Sequence, residues 1–191
     1  AIHWLPNIVA AFQRDYPDIG YELLLGDYEE VERWLEEGRI ECGFLRLPTR
    51  PEFETIFLKQ DEYKVVLPKG HPLTECAVIE PHALDGQPFL LLEHGGRTEV
   101  SDFLTQFGIH PDIRFTTWED YAILSMAEKG LGIGILPQMI LQRIPYEVEI
   151  RLLSAPYYRR IGLAMKNRVR LSPAAKKFLE YLPFREAGAD R

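Results

Sequence analysis

Gly130-Leu131-Gly132-Ile133-Gly134-Ile135-Leu136-Pro137 is the stretch on which the reading of this chain turns. Its three alternate glycines superficially match a phosphate-binding loop. A dinucleotide fingerprint must follow a strand and open a helix, so that phosphate meets the helix's first amides. Here the order is reversed. A helical pattern runs into Gly130, and an alternating apolar run leaves it. The spacing predicts a helix stop followed by a strand over 131–136, with small residues where a neighbour packs close.

Working back from there, Thr117 with Asp120 can cap the helix that ends at Gly130, and Ile113–Phe115 reads as a strand. Val100, Phe103, Leu104 and Phe107 form a helix stripe stopped by Gly108, and Phe89–Leu92 reads as a buried strand. Working forward, Pro137 starts another helix, and Val148–Leu153 and Ile161–Met165 are strands. Ser172-Pro173 supplies an N-cap and a first-turn proline for a last helix carrying Ala174, Phe178, Leu179 and Leu182, before a polar tail from Arg185.

A separate α/β pattern comes first. Leu5, Ile8, Val9, Phe12 and Tyr16 recur at helical spacing until Pro17. Ile19, Tyr21, Leu23 and Leu25 then alternate like a strand. Asp27 with Glu30 is a capping box for a helix whose stripe is Val31, Trp34 and Leu35 and whose stop is Gly38. Ile40–Leu45 reads as a second strand, and this helix–strand order predicts parallel pairing through crossovers. Turn-rich residues 47–51, a strand pair at Ile56–Leu58 and Tyr63–Leu67, and a break over 68–72 separate the two patterns. Two α/β lobes are expected.

Bulk properties exclude several classes. The 191 residues, 46% hydrophobic, suffice for one large domain or two small lobes. The 29 acidic and 22 basic side chains leave a net charge of -7, and the basic residues do not cluster, so this chain by itself should not grip nucleic acid. No apolar run approaches the roughly 18 residues of a membrane span. The start has no initiator methionine and no secretion-signal pattern, and the chain reads as a fragment. Cys42 and Cys76 read as free thiols, in keeping with a reducing compartment.

Catalysis and metals find little purchase. His3, His71, His82, His94 and His110 are never paired at i,i+4, and no Cys-x-x-Cys is present, so no metal and no cofactor are expected. The acidic residues from Asp27 to Glu41 fall on the outer face of an amphipathic helix, and no Gly-x-Ser-x-Gly elbow occurs. The chain is not expected to be an enzyme. A better candidate is Leu92-Glu93-His94-Gly95-Gly96-Arg97-Thr98, which joins a buried strand to a helix start. Helix-start amides attract carboxylates, glycines allow close approach, and Arg97 can add a bidentate contact. A flexible turn with a solvated arginine is the plain alternative. Gly26-Asp27-Tyr28 repeats this geometry in the first lobe, and Arg46 lies just past the second strand. Ligands in open α/β sheets settle where such strand ends converge.

Taken together, these pieces resemble the effector-binding domain of LysR-type transcriptional regulators over nearly the whole chain. The matching residues are Leu5-Pro6 with Phe12 and Tyr16-Pro17; Leu35-Glu36-Glu37-Gly38 through Glu41-Cys42-Gly43; Val65 through Leu73; Gly130 through Pro137; and Leu171-Ser172-Pro173-Ala174-Ala175 with Phe178-Leu179. Each is weak alone, and five in order are strong. The resemblance implies a type 2 periplasmic-binding-protein-like α/β fold. One lobe would comprise residues 1–66 with 162–191 and the other 67–161, joined by crossing segments near Lys64–Leu67 and Ile161–Met165. It implies a small-molecule effector between the lobes, homodimers or homotetramers, a cytoplasmic location, and DNA contact through a winged helix-turn-helix outside this sequence. The implied contacts are Gly26, Asp27, His94, Gly95, Gly96, Arg97, Thr98 and Ile161, joined by Arg46 from its own position. Asp27 departs from the neutral or hydroxyl residue common in the family: it either repels a carboxylate or signals an amine-bearing ligand, which tempers the expectation of an anionic effector. The first helix with the strand after it, and the helix from Trp118 to Gly130, are the implied subunit interface. A solute-binding protein of a transporter would share this fold, and the sequence preceding Ala1 would tell the two apart.

Overall fold

The computed structural model describes residues 5–93 and 98–182. In chain order the elements are α1 (Leu5–Asp15), α2 (Tyr28–Glu37), β1 (Gly43–Leu47), β2 (Glu54–Pro68), β3 (Val78–Ile79), β4 (Pro88–Leu92) and α3 (Glu99–Phe107). They continue with β5 (Asp112–Thr117), α4 (Asp120–Glu128), β6 (Ile133–Pro137), α5 (Gln138–Leu141), β7 (Val148–Leu153), β8 (Tyr158–Met165) and α6 (Pro173–Phe178). The chain divides into two compact units at Gln60/Asp61 and again at Arg159/Arg160. The chain thus passes between the units twice, along β2 and along β8.

Unit 1 is built on α1, α2, α6 and the β1–β8 pair. Asp27 caps α2 by accepting from the Glu30 amide at 2.7 Å, while the Glu30 carboxylate accepts from the Asp27 amide at 3.2 Å. Two of the helix's orphan donors are satisfied reciprocally, as the sequence predicts. Val31, Trp34 and Leu35 bury against Leu45, Phe53 and Ala164. A second cluster gathers Ile8, Leu58, Leu163, Met165, Leu171 and Leu179. Each such side chain contributes roughly 1.5–3 kcal/mol by leaving water.

Three expectations for this unit are corrected. The alternating residues 19–25 form no strand: no described strand pairs with them, and Leu23 and Leu25 stand 74% and 82% exposed. Alternation marks a side that can be covered, but a ladder also needs a partner for the backbone. The strand foreseen at 40–45 begins at Gly43, because the Arg39 and Ile40 amides are used to close α2 on the Trp34 carbonyl. Its partner is β8, antiparallel, with Gly43 opposite Ala164 and Leu47 opposite Arg160. The foreseen strand pair at 56–58 and 63–67 is one continuous strand, β2.

Unit 2 carries a sheet in the order β3-β7-β2-β6-β4-β5. β4 lies parallel to both β5 and β6, whereas β2 is antiparallel to β6 and β7. Alternation along β2 sends Val65 and Leu67 into a cluster with Val100 and Phe103 of α3, and Val66 into one with Ile123 and Leu124 of α4. All three β2 side chains are fully buried. A sheet covered on both faces explains why its central strands read as unbroken apolar runs.

The close packing foreseen for the glycine stretch is found, although the strand, β6, begins at Ile133, two residues later than expected. A Cβ on Gly132 would lie 2.8 Å from the Pro88 carbonyl oxygen, and one on Gly134 would lie 2.6 Å from a methyl of Ile123. Gly132, just before β6, and Gly134 within it let β4 and α4 approach.

Candidate functional site

In unit 1 four of the singled-out residues come together. Arg46 on β1 sits directly opposite Ile161 on β8. Its guanidinium lies 6.0 Å from the centre of the Tyr28 ring, the first residue of α2, where a cation is drawn to the ring face. Asp27 immediately precedes Tyr28 as the helix cap. Gly26 completes the turn for a packing reason, since a Cβ there would lie 2.6 Å from the Trp34 ring. A cation, an aromatic ring, a capping carboxylate and a strand backbone therefore converge at one helix start. Tyr28 was not singled out as a ligand residue; only its position beside Asp27 pointed to it.

Asp27, expected both as a cap and as an effector contact, is found as the cap. One of its oxygens is committed to the Glu30 amide. Its carboxylate thus serves α2 whatever else it touches.

In unit 2, Thr98 precedes α3, and its hydroxyl donates to the Leu92 carbonyl at 2.8 Å instead of capping the helix. The Glu93 amide donates to the Thr117 carbonyl at 2.9 Å, and Ser101 donates to the Glu93 carboxylate. The two ends of the 93–98 loop are thereby tied to the sheet and to α3. His94, Gly95, Gly96 and Arg97 lie outside the described residues.

A cluster that the sequence reading missed occupies the start of unit 2. Asp61, 2% exposed, accepts from Arg159 Nε at 3.0 Å and from the Met139 amide at 3.0 Å. Arg159 also lies 5.8 Å from the centre of the Tyr63 ring. Half-buried Asp120 has its pKa pushed up to about 6, chiefly by desolvation, against the lowering influence of Arg159. Nothing local announces a pair separated by 98 residues.

Cys42 and Cys76 are free thiols, and burial pushes the Cys42 thiol up to about 11, away from thiolate chemistry. Among the described residues no group of His, Cys, Asp and Glu is arranged to hold a metal ion, and no helix is long and apolar enough to cross a membrane.

Residues 1–184 match the family described as the LysR substrate binding domain. This chain belongs to that family. The LysR domain is 34% identical over 182 residues to the HTH-type transcriptional regulator YvbU of Bacillus subtilis (strain 168), covering 93% of this chain and 61% of that protein. The chain thus spans about three-fifths of that relative's length. Among solved structures it resembles the regulatory domain of CcmR from Synechocystis PCC6803 in complex with 2-PG, with a TM-score of 0.86 and 22% identity over 95% of this chain and 90% of the other. It also resembles the effector binding domain of QuiR in complex with shikimate, with a TM-score of 0.81 and 23% identity over 94% and 88% of the two chains. The LysR domain has the type 2 periplasmic-binding-protein-like α/β fold expected from its sequence.

Proposed function

We propose that this LysR domain is the sensing part of a bacterial transcription regulator and that it responds to a small-molecule effector. The observation that carries this reading is the convergence of Asp27, Tyr28, Arg46 and Ile161 at the start of α2, in a chain of this family. Gly26, Asp27, Arg46 and Ile161 are the proposed contacts from unit 1, and His94, Gly95, Gly96, Arg97 and Thr98 those from unit 2. Arg46 suits an effector bearing a carboxylate or phosphate, because guanidinium groups form paired, charge-assisted contacts to such oxygens. CcmR and QuiR were solved with 2-PG and shikimate, which supports a small polar effector here.

The effector acts through differential affinity: it must bind one conformation more tightly than another to shift the balance. The full regulator is a homodimer or homotetramer in this proposal. It works in the cytoplasm and reaches DNA through a helix-turn-helix segment outside this chain. The exposed apolar residues Tyr21, Leu23 and Leu25, and Trp118 beside α4, support the subunit interface that the family resemblance assigns. A regulator is favoured over a solute-binding protein because YvbU is a transcriptional regulator, and sensing rather than catalysis is proposed for the same reason.

Native mass spectrometry of the purified domain should reveal a retained metabolite, and calorimetry with that compound should give saturable binding. Arg46→Met should weaken it about tenfold or more, the loss of a charge-assisted contact. If neither this domain nor the full-length regulator retains or binds any small acid, the sensing role is wrong.

A further inference from the structure

Unit 2 contains a cavity of about 230 Å³ on the face of the sheet covered by α5. Lys64, Gln138 and Gln142 line it together with the apolar Leu141, Ile150 and Leu152. Every one of these residues belongs to unit 2, and none is among the effector contacts proposed above. At the roughly 30 Å³ that one water occupies in the liquid, the volume fits about seven or eight non-hydrogen atoms.

Lys64 is the informative member. It is 7% exposed, and its ammonium is paired with the Glu62 carboxylate two residues earlier on the same strand. An ammonium carries three donors, so Glu62 leaves further donors for an oxygen entering the cavity. The other charged side chain on the lining, Arg151, is committed elsewhere: it donates to the Thr74 and Ile150 carbonyls and to Glu149. The lining holds two cations and two side-chain amides, and the carboxylates that pair with the cations, Glu62 and Glu149, are not among its residues. The donors that Glu62 leaves on Lys64 can meet an oxygen, and the apolar lining suits a hydrocarbon chain.

We propose that this cavity is a second ligand site, taking a short aliphatic monocarboxylate whose head meets Lys64 and whose chain lies on Leu141, Ile150 and Leu152. The site does not depend on the effector reading above. The helix that contributes Gln138 and Leu141 to the lining, α5, is held at its start by Asp61, which accepts from the Met139 amide and from Arg159 on β8. A ligand leaning on α5 therefore leans on the residue that ties β2 to β8.

Pentanoate, hexanoate, hexanamide and hexanol can be titrated into the domain while backbone amide NMR shifts are followed. The expected result is saturable binding in which hexanoate is at least about tenfold tighter than the amide or the alcohol. The shifts should centre on residues 138–142 and 150–152. Lys64→Met should abolish the preference for the carboxylate. Ala77 lines the same cavity from an exposed position, so Ala77→Phe plugs it without disturbing buried charge and should abolish binding. Carboxylate binding no tighter than the alcohol, shifts centred elsewhere, or an Ala77→Phe variant that binds as the parent does would each overturn the proposal. Should Lys64→Met fail to fold, Ala77→Phe and the isostere series still decide it.

Discussion

Arg159 Nε donates to Asp61 Oδ2 at 3.0 Å, and its Nη2 lies 2.9 Å from the same oxygen. The two residues stand one position inside the unit boundary on each crossing strand. Asp61 Oδ1 accepts in addition from the Met139 amide at the start of α5. One carboxylate therefore fastens β2, β8 and α5. Truncating one member of a buried pair leaves the other's charge uncompensated, typically at a cost of about 3–5 kcal/mol. Asp61→Ala should fall in that range by urea unfolding. Asp61→Asn, which can keep the Met139 contact, should cost less. Equal costs for the two would mean that the contact with α5 is of no consequence.

Asp120 gives the domain a predicted pH response. Its folded-state pKa is raised from 3.8 to about 6, so the folded state holds this proton more tightly than the unfolded chain does. The resulting contribution is fully present below pH 3.8 and is lost as pH rises through about 6. Asp120→Asn should flatten that part of the stability profile and raise stability at neutral pH relative to the parent. An unchanged slope between these pH values would show that Asp120 titrates normally.

Gly134 and Ile123 form a packing pair that can be tested by a double-mutant cycle. Gly134→Ala forces a Cβ to within 2.6 Å of an Ile123 methyl group and should cost about 1–3 kcal/mol. Ile123→Leu in the same chain removes the methyl branch on Cβ that makes this contact and should recover part of that loss, giving a coupling energy of about 0.5 kcal/mol or more. Additive costs would place the strain elsewhere.

Asp27 can be separated into cap and charge. Asp27→Ala removes the acceptor for the Glu30 amide and should cost about 1 kcal/mol of stability, whereas Asp27→Asn should nearly retain the parent value. If Asn also tightens binding of an acidic effector, the native carboxylate repels it. If Asn weakens binding of an amine-bearing one, the carboxylate recognises it. Thermal unfolding and calorimetry on the two variants give both answers.

Much of the candidate site was legible because its signals are local. The Asp27–Glu30 capping box, the stop at Gly38 and the turn before α2 are set within a few residues, and each is found where the spacing placed it. Arg46 opposite Ile161 was not legible, since it depends on β8 returning beside β1 from more than a hundred residues away. Tyr28 was visible as a helix start but not as a platform for Arg46, because its ring direction is set by packing.

Sequence alone determined the main helices, the caps of α2 and α6 and the buried stripes, for these follow from periodicity and from backbone groups that neighbours in the chain must satisfy, while the family was read from its motifs in their order. Only the tertiary structure decided which strands pair. It turned Ile19–Leu25 from an expected strand into a segment with no regular structure, Leu23 and Leu25 exposed, and joined two expected strands into β2. It also brought Asp61 to Arg159. Pairings of this kind are chosen by which distant groups lose water together, and no short stretch of sequence records that choice.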